Sequence, residues 1–157
     1  MSDILYEFMS DWENTKYDIP IFIIDNQYYD APTDLKDYIH AALFIFWSYR
    51  KKILSKELEK MTKESINKTG KLSSSTLLEI LKFISPIKKI EADCFNENAR
   101  DFVVDYVANP GFPYSYKDDI RNILPNLNSY SEISENNYEK ILSILDNRYA
   151  MYSNASE

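Results

Sequence analysis

Between Thr33 and Lys52 the chain stops alternating between polar and apolar positions. TDLKDYIHAALFIFWSYRKK opens on a polar cap and runs into seven apolar residues, Ala41 to Trp47. A helix that is apolar on every side in its middle has to be buried on every side, so residues 33–52 are predicted to form the central core helix. Thr33 or Asp34 caps it, Asp34 and Asp37 complement the positive end of its dipole, and Arg50, Lys51 and Lys52 complement the negative end.

Narrower stripes surround it. In residues 3–12, Ile4, Leu5, Phe8 and Trp12 share one helical face behind Ser2. Ile19 to Ile24, IPIFII, is apolar and β-branched but carries Pro20, which suits an extended edge segment. Ser55 to Asn67 reads as a surface helix with Leu54, Leu58 and Met61 inward, Glu59–Lys63 and Lys60–Glu64 pairs outward, and Gly70 as its stop. Thr76 and Glu79 have capping-box spacing ahead of Leu77, Leu78, Ile80, Leu81 and Ile84, and Ile87 to Ala92 is a connector. Asp93 or Asn96 caps a second core helix with Phe95, Ala99, Phe102, Val103, Tyr106 and Val107 inward, ending at Asn109-Pro110-Gly111. Ser115 and Asp118 open a short helix closed by Pro125, and from Ser134 a long helix puts Tyr138, Ile141, Leu142, Leu145 and Tyr149 on one face. The expected fold is mainly α: a single domain over residues 1–157, a bundle of about six helices around the helix at 33–52, with at most one or two short edge strands.

Composition narrows the function classes. One cysteine, Cys94, rules out an internal disulfide and a cysteine zinc cluster and fits a reducing cytosol. The apolar run at Ala41 is far shorter than the ~20 residues that span a bilayer. The start MSDILYEFMSDWE lacks the basic opening of a signal peptide, so a cytoplasmic protein away from membranes is expected. Glycine occurs only at 70 and 111, which leaves no phosphate-cradling loop, GxGxxG or GxSxG element. The formal charge of −7 is uneven: residues 51–90 hold ten bases and four acids, and both flanks are acidic. The bases alternate with glutamates and an apolar set, with only Phe83 as an aromatic neighbour, so they read as a solvated face and no nucleic-acid contact is expected.

Candidate chemistry is sparse. His40 is the only histidine, which removes two-His metal sites; Asp37, one turn before it, could orient it as a base, and the competing reading is a packed core residue. Cys94 at a helix start could be an activated thiol or a small buried hydrophobe. Asp101 and Asp105 share a helix face but lack further ligands, so no metal, cofactor or catalytic residue is assigned. What remains is two clusters in expected loops: Asp25, Tyr28, Tyr29 and Asp30, and Tyr114, Tyr116, Asp118 and Asp119. Tyrosine supplies stiff contact area and aspartate charge complementarity, a combination suited to gripping a basic protein. The alternative is that these tyrosines tuck onto the domain's own core.

KYD at Lys16 to Asp18, HAALFIFWSYRKK at His40 to Lys52, NENARDFVVDYV at Asn96 to Val107 and NNYEKILSILDNRY at Asn136 to Tyr149 are spread over most of the chain. Together they resemble a family of small bacterial immunity proteins from polymorphic and contact-dependent growth inhibition toxin systems. The chain departs from that pattern at IPIFII, which replaces a more polar entry, and no binding residue is carried over. The resemblance implies a cytosolic antidote, not an enzyme, that occludes the active site of one cognate toxin domain. That toxin would be basic, for instance a nuclease, and the antidote a monomer or weak homodimer. Two other classes stay open: a regulatory or scaffold module binding another protein, and a small enzyme using His40 with a carboxylate.

Overall fold

The computed structural model describes residues 15–24, 38–126 and 133–155, and it is mainly helical. Its axis is helix α1, Ile39–Arg50, where Ile39 and every residue from Ala41 to Ser48 is buried. Ser48, the one polar member of that run, donates its hydroxyl to the Phe44 carbonyl at 2.8 Å, so this hydroxyl is satisfied within the helix. The expected caps at Thr33 and Asp34, and the expected helix over residues 3–12, lie outside the described residues.

Serine hydroxyls define the starts of three other helices. Helix α2, Lys56–Thr69, is capped by Ser55 and stopped by Gly70 at φ 86, a backbone region that penalises side chains. Helix α3, Ser74–Ile84, is capped by Ser73, whose Oγ accepts from the Thr76 amide. The cap thus lies three residues before the expected Thr76, which is buried and donates instead to the Lys71 carbonyl at 2.6 Å. Leu77, Ile80, Leu81 and Ile84 carry α3 onto α1, while its contact with α2 is partly polar. On α2 the inward stripe continues from Leu58 through Thr62 and Ser65, whose hydroxyls return to carbonyls four residues back. Met61 is only half-buried, because the small polar residues take the inward positions.

Residues 87–92 are more than a connector. Phe22–Ile23 forms β1 and Lys89–Ile90 forms β2, paired antiparallel with Phe22 opposite Ile90. Edge character holds: Ile21, Phe22 and Ile24 are buried and Ile23 is exposed. The Phe22 ring meets His40, Phe44 and Tyr116 at centroid distances of 5.6, 5.6 and 6.1 Å, sealing one end of α1.

Helix α4, Arg100–Val103, continues as a π turn over Val104–Ala108. The wider turn changes the inward register, so Val104 is fully buried and Val107, inward on ordinary helical spacing, is half-buried. Helix α5, Tyr116–Ile123, is capped by Ser115, and helix α6, Glu135–Ala155, buries Tyr138, Ile141, Leu142 and Leu145. Both ends of α1 are tied polar-wise: Tyr116 donates to the His40 carbonyl at 2.7 Å, and Trp47 Nε1 donates to Asp146 of α6 at 2.9 Å. Among the described residues, no helix is long and apolar enough to cross a membrane.

Phe44 touches rings from three further segments, Phe22, Phe95 and Tyr116, so Phe44→Ala is expected to cost about 3–5 kcal/mol in urea unfolding. Gly70→Ala meets no atom within 4 Å and should cost only its backbone strain, about 1 kcal/mol or slightly more.

Candidate functional site

The aromatic residues crowd where α4, the turn before α5 and α6 converge. The sequence Asn109-Pro110-Gly111-Phe112 folds into a turn: Asn109 accepts the Gly111 amide through its side chain and the Phe112 amide through its carbonyl. Asn109 Nδ2 donates to Asp105, which also accepts the Tyr152 hydroxyl at 2.9 Å. One carboxylate therefore fixes the turn that presents Phe112 and the phenol on α6.

A second carboxylate fixes the opposite wall. Asp119, 5 % exposed, accepts Nε and Nη2 of Arg148, each at 2.9 Å, and the Tyr106 hydroxyl at 2.5 Å. The paired N–H groups match a carboxylate geometrically, and such bonds are among the strongest a side chain makes. Arg148 then lies over Tyr114, its guanidinium carbon 3.9 Å from the ring centroid.

The contacts close into a circuit. Tyr106 stacks on Phe102 at 5.3 Å, Phe102 meets Tyr152 at 5.3 Å, Tyr152 meets Phe112 at 6.0 Å, and Phe112 meets Tyr114 at 6.2 Å. Tyr114 supports Arg148, and Asp119 joins Arg148 back to Tyr106. Inside lies an open cavity of about 420 Å³ with Met151, half exposed, at its rim. On the far side of Tyr114 and Arg148 is a more polar hollow of about 390 Å³ that includes Asp118, Arg121 and Asn122.

The electrostatics hold the circuit together. Burial, reinforced by the Asp119 carboxylate, pushes the Tyr106 phenol far above the usual tyrosine value. Burial and the bond to Asp105 do the same to Tyr152. The Asp119 carboxylate raises the Arg148 guanidinium further.

A family model described as Domain of unknown function (DUF7832) matches residues 18–143. The chain belongs to that family. The DUF7832 match takes in Phe102, Tyr106, Phe112, Tyr114 and Asp119 and ends before Arg148, Met151 and Tyr152. No curated protein and no solved structure matches the chain.

The residues singled out from the sequence part company here. Asp25, Tyr28, Tyr29 and Asp30 lie outside the described residues. Tyr114 and Asp118 are exposed, as a contact surface requires. Tyr116 and Asp119 are not: Tyr116 is 2 % exposed, packed between Phe44 and Tyr106, and Asp119 is enclosed by Arg148 and Tyr106. The cause is the helical register of α5, which turns Tyr116, Asp119 and Ile120 to the core and Asp118 to solvent. Tyr114 is thus exposed, whereas Tyr116 is tucked onto the domain's own core.

Phe102, Tyr106, Phe112, Arg148, Met151 and Tyr152 were not expected as site residues. Phe102 and Tyr106 were assigned to the core, which they also serve. Tyr152 could have been found, because it extends the α6 stripe seven residues beyond Leu145.

The other candidates have ordinary surroundings. His40 packs edge-on against Phe22. Cys94 ends a 3₁₀ turn, Ala92–Cys94, and burial raises its thiol pKa, which accords with the small-hydrophobe reading and runs against the activated-thiol one. Asp101 accepts the Tyr17 hydroxyl and pairs with Lys16 at 3.1 Å, so it fastens the 3₁₀ turn Lys16–Asp18. Among the described residues no group of three or more His, Cys, Asp or Glu is placed to hold a metal ion.

Replacing Asp119 by Asn leaves Arg148 facing a neutral amide inside the fold and should cost about 3 kcal/mol, whereas Asp118→Lys should stay within about 0.5 kcal/mol. Chemical denaturation of both variants checks this. The raised pKa values of Tyr106 and Tyr152 mean that their protons add stability in full below the usual tyrosine value of about 10, and that this is lost as pH rises through the folded values. Alkaline difference spectra should accordingly show exposed tyrosines ionising first and these two only as the protein unfolds.

Proposed function

We propose that the chain is a cytoplasmic protein-binding module, an immunity protein that occludes the active site of a cognate toxin domain through the surface around Tyr114. The observation that carries this reading is the preformed aromatic cavity, open to solvent and edged by the exposed Tyr114 and Met151. Tyrosine, phenylalanine, methionine and arginine are the residues enriched in protein interfaces, and all four stand together here. The Asp105 and Asp119 bonds hold them in place before any partner arrives, which lowers the entropy lost on association.

The resemblance of the sequence to immunity proteins supplies the partner class, and the net charge of −7 supplies its sign. An acidic surface draws a basic domain inward over a distance set by salt. Asp118, exposed beside Tyr114, adds to that field at the site itself.

Co-expression with the protein encoded immediately upstream, followed by a pull-down and an assay of that protein's toxicity, tests the proposal. Capture with loss of toxicity is expected, and Tyr114→Ala should weaken capture by about 2 kcal/mol, some thirtyfold. Asp118→Lys should slow association and reduce its salt dependence while leaving dissociation nearly unchanged. Undiminished toxicity with no complex would overturn the reading.

A further inference from the structure

We infer that the cavity between α4 and α6 is an aromatic cage for one basic side chain, lysine or arginine, of the bound protein. The inference rests on the protein-binding reading above and names what that site takes hold of. A ring of aromatic residues attracts a cation through the negative faces of the rings, and the attraction grows as water is excluded. Here Phe102, Tyr152, Phe112 and Tyr114 succeed one another with tilts of 68°, 55° and 74°, so the walls turn around the space instead of stacking across it.

Two features select a cation over other occupants. The charged groups of the circuit are the carboxylates of Asp105 and Asp119 and the guanidinium of Arg148, which leaves one net negative charge. Tyr106 and Tyr152 donate their protons to those carboxylates, which enriches their rings in electron density. Asp119 already engages Nε and Nη2 of Arg148, so an anion would meet a guanidinium whose charge is matched and whose remaining N–H groups lie close to a carboxylate. The protein already uses one ring in this way, because the Arg148 guanidinium rests on Tyr114. With its charge matched by Asp119, Arg148 acts as a wall of the cage and does not fill its interior.

The test is a titration of protein carrying ¹³C-methyl methionine, reading the Met151 methyl at the rim. The probes are the acetylated methylamides of lysine, arginine, norleucine and glutamate. Saturable shifts are expected for the lysine and arginine compounds at roughly millimolar concentration, with norleucine and glutamate at least about threefold weaker. Tyr114→Ala, at an exposed position, should weaken the lysine compound about threefold to tenfold while preserving the amide spectrum, and Tyr152→Leu should do the same from the opposite wall. Norleucine binding as well as lysine would overturn the inference in favour of a plain apolar pocket, and so would the absence of any shift. The two readings separate cleanly. Capture of the upstream-encoded toxin without a lysine shift removes the cage alone. A lysine shift without capture keeps the cation site and removes the immunity role.

Discussion

A helix whose middle is apolar on all sides cannot lie at a surface, and enclosing α1 from every direction is the constraint that arranges the rest of the chain. One element covers one side only, so β1, α2, α3, α4, α5 and α6 must all reach it. Apolar contact alone would let these neighbours slide. Their positions along α1 are fixed by directional bonds at its two ends, from Tyr116 to the His40 carbonyl and from Trp47 to Asp146. Hydrophobic burial thus supplies most of the stability, and a few hydrogen bonds supply the register.

The same division of labour explains why a carboxylate sits inside α5. Burying Asp119 costs desolvation that only well-aligned partners offset, and Arg148 and Tyr106 provide three such bonds from two other elements. An apolar residue there could pack equally well against α6. It would not set the guanidinium over Tyr114, nor hold Tyr106 at a fixed height in the cavity wall. The buried pair therefore acts more on the shape of the surface than on the depth of the energy minimum.

Most of the fold was legible because its signals are local. The all-round apolar run marked α1, Ser55 and Ser115 marked helix starts, and Gly70 marked a stop, each by chemistry contained within a few residues. What escaped depends on partners far along the chain. Lys89–Ile90 has no strand pattern of its own and becomes β2 only because Phe22–Ile23 arrives beside it. Ser73 and Thr76 compete for the same cap, and the Lys71 carbonyl and Thr69 decide it by engaging the Thr76 hydroxyl. The site was half legible for the same reason. Tyr114 and Asp118 were found as exposed loop and cap residues, whereas Asp119 changes meaning once Arg148, 29 residues later, is brought against it.

The π turn at Val104–Ala108 connects the core to the cavity. An ordinary helix would spend this segment on one apolar face; the wider turn lets Val104 enter the core while Tyr106 still reaches Asp119 and Asp105 still reaches Tyr152. Such turns cost backbone regularity, and they persist where the altered register places side chains that no regular helix could. Here two of the three phenols that line the cavity, Tyr106 and Tyr152, are anchored through it, one on a carboxylate of α5 and one on a carboxylate of the turn itself. A cavity walled by mobile rings would have to be ordered at the moment of binding, whereas these walls are ordered by folding, with the entropy already spent. On the proposed reading, long-range attraction by the acidic surface and short-range capture by rigid rings are separable properties, set by different residues and altered by different substitutions.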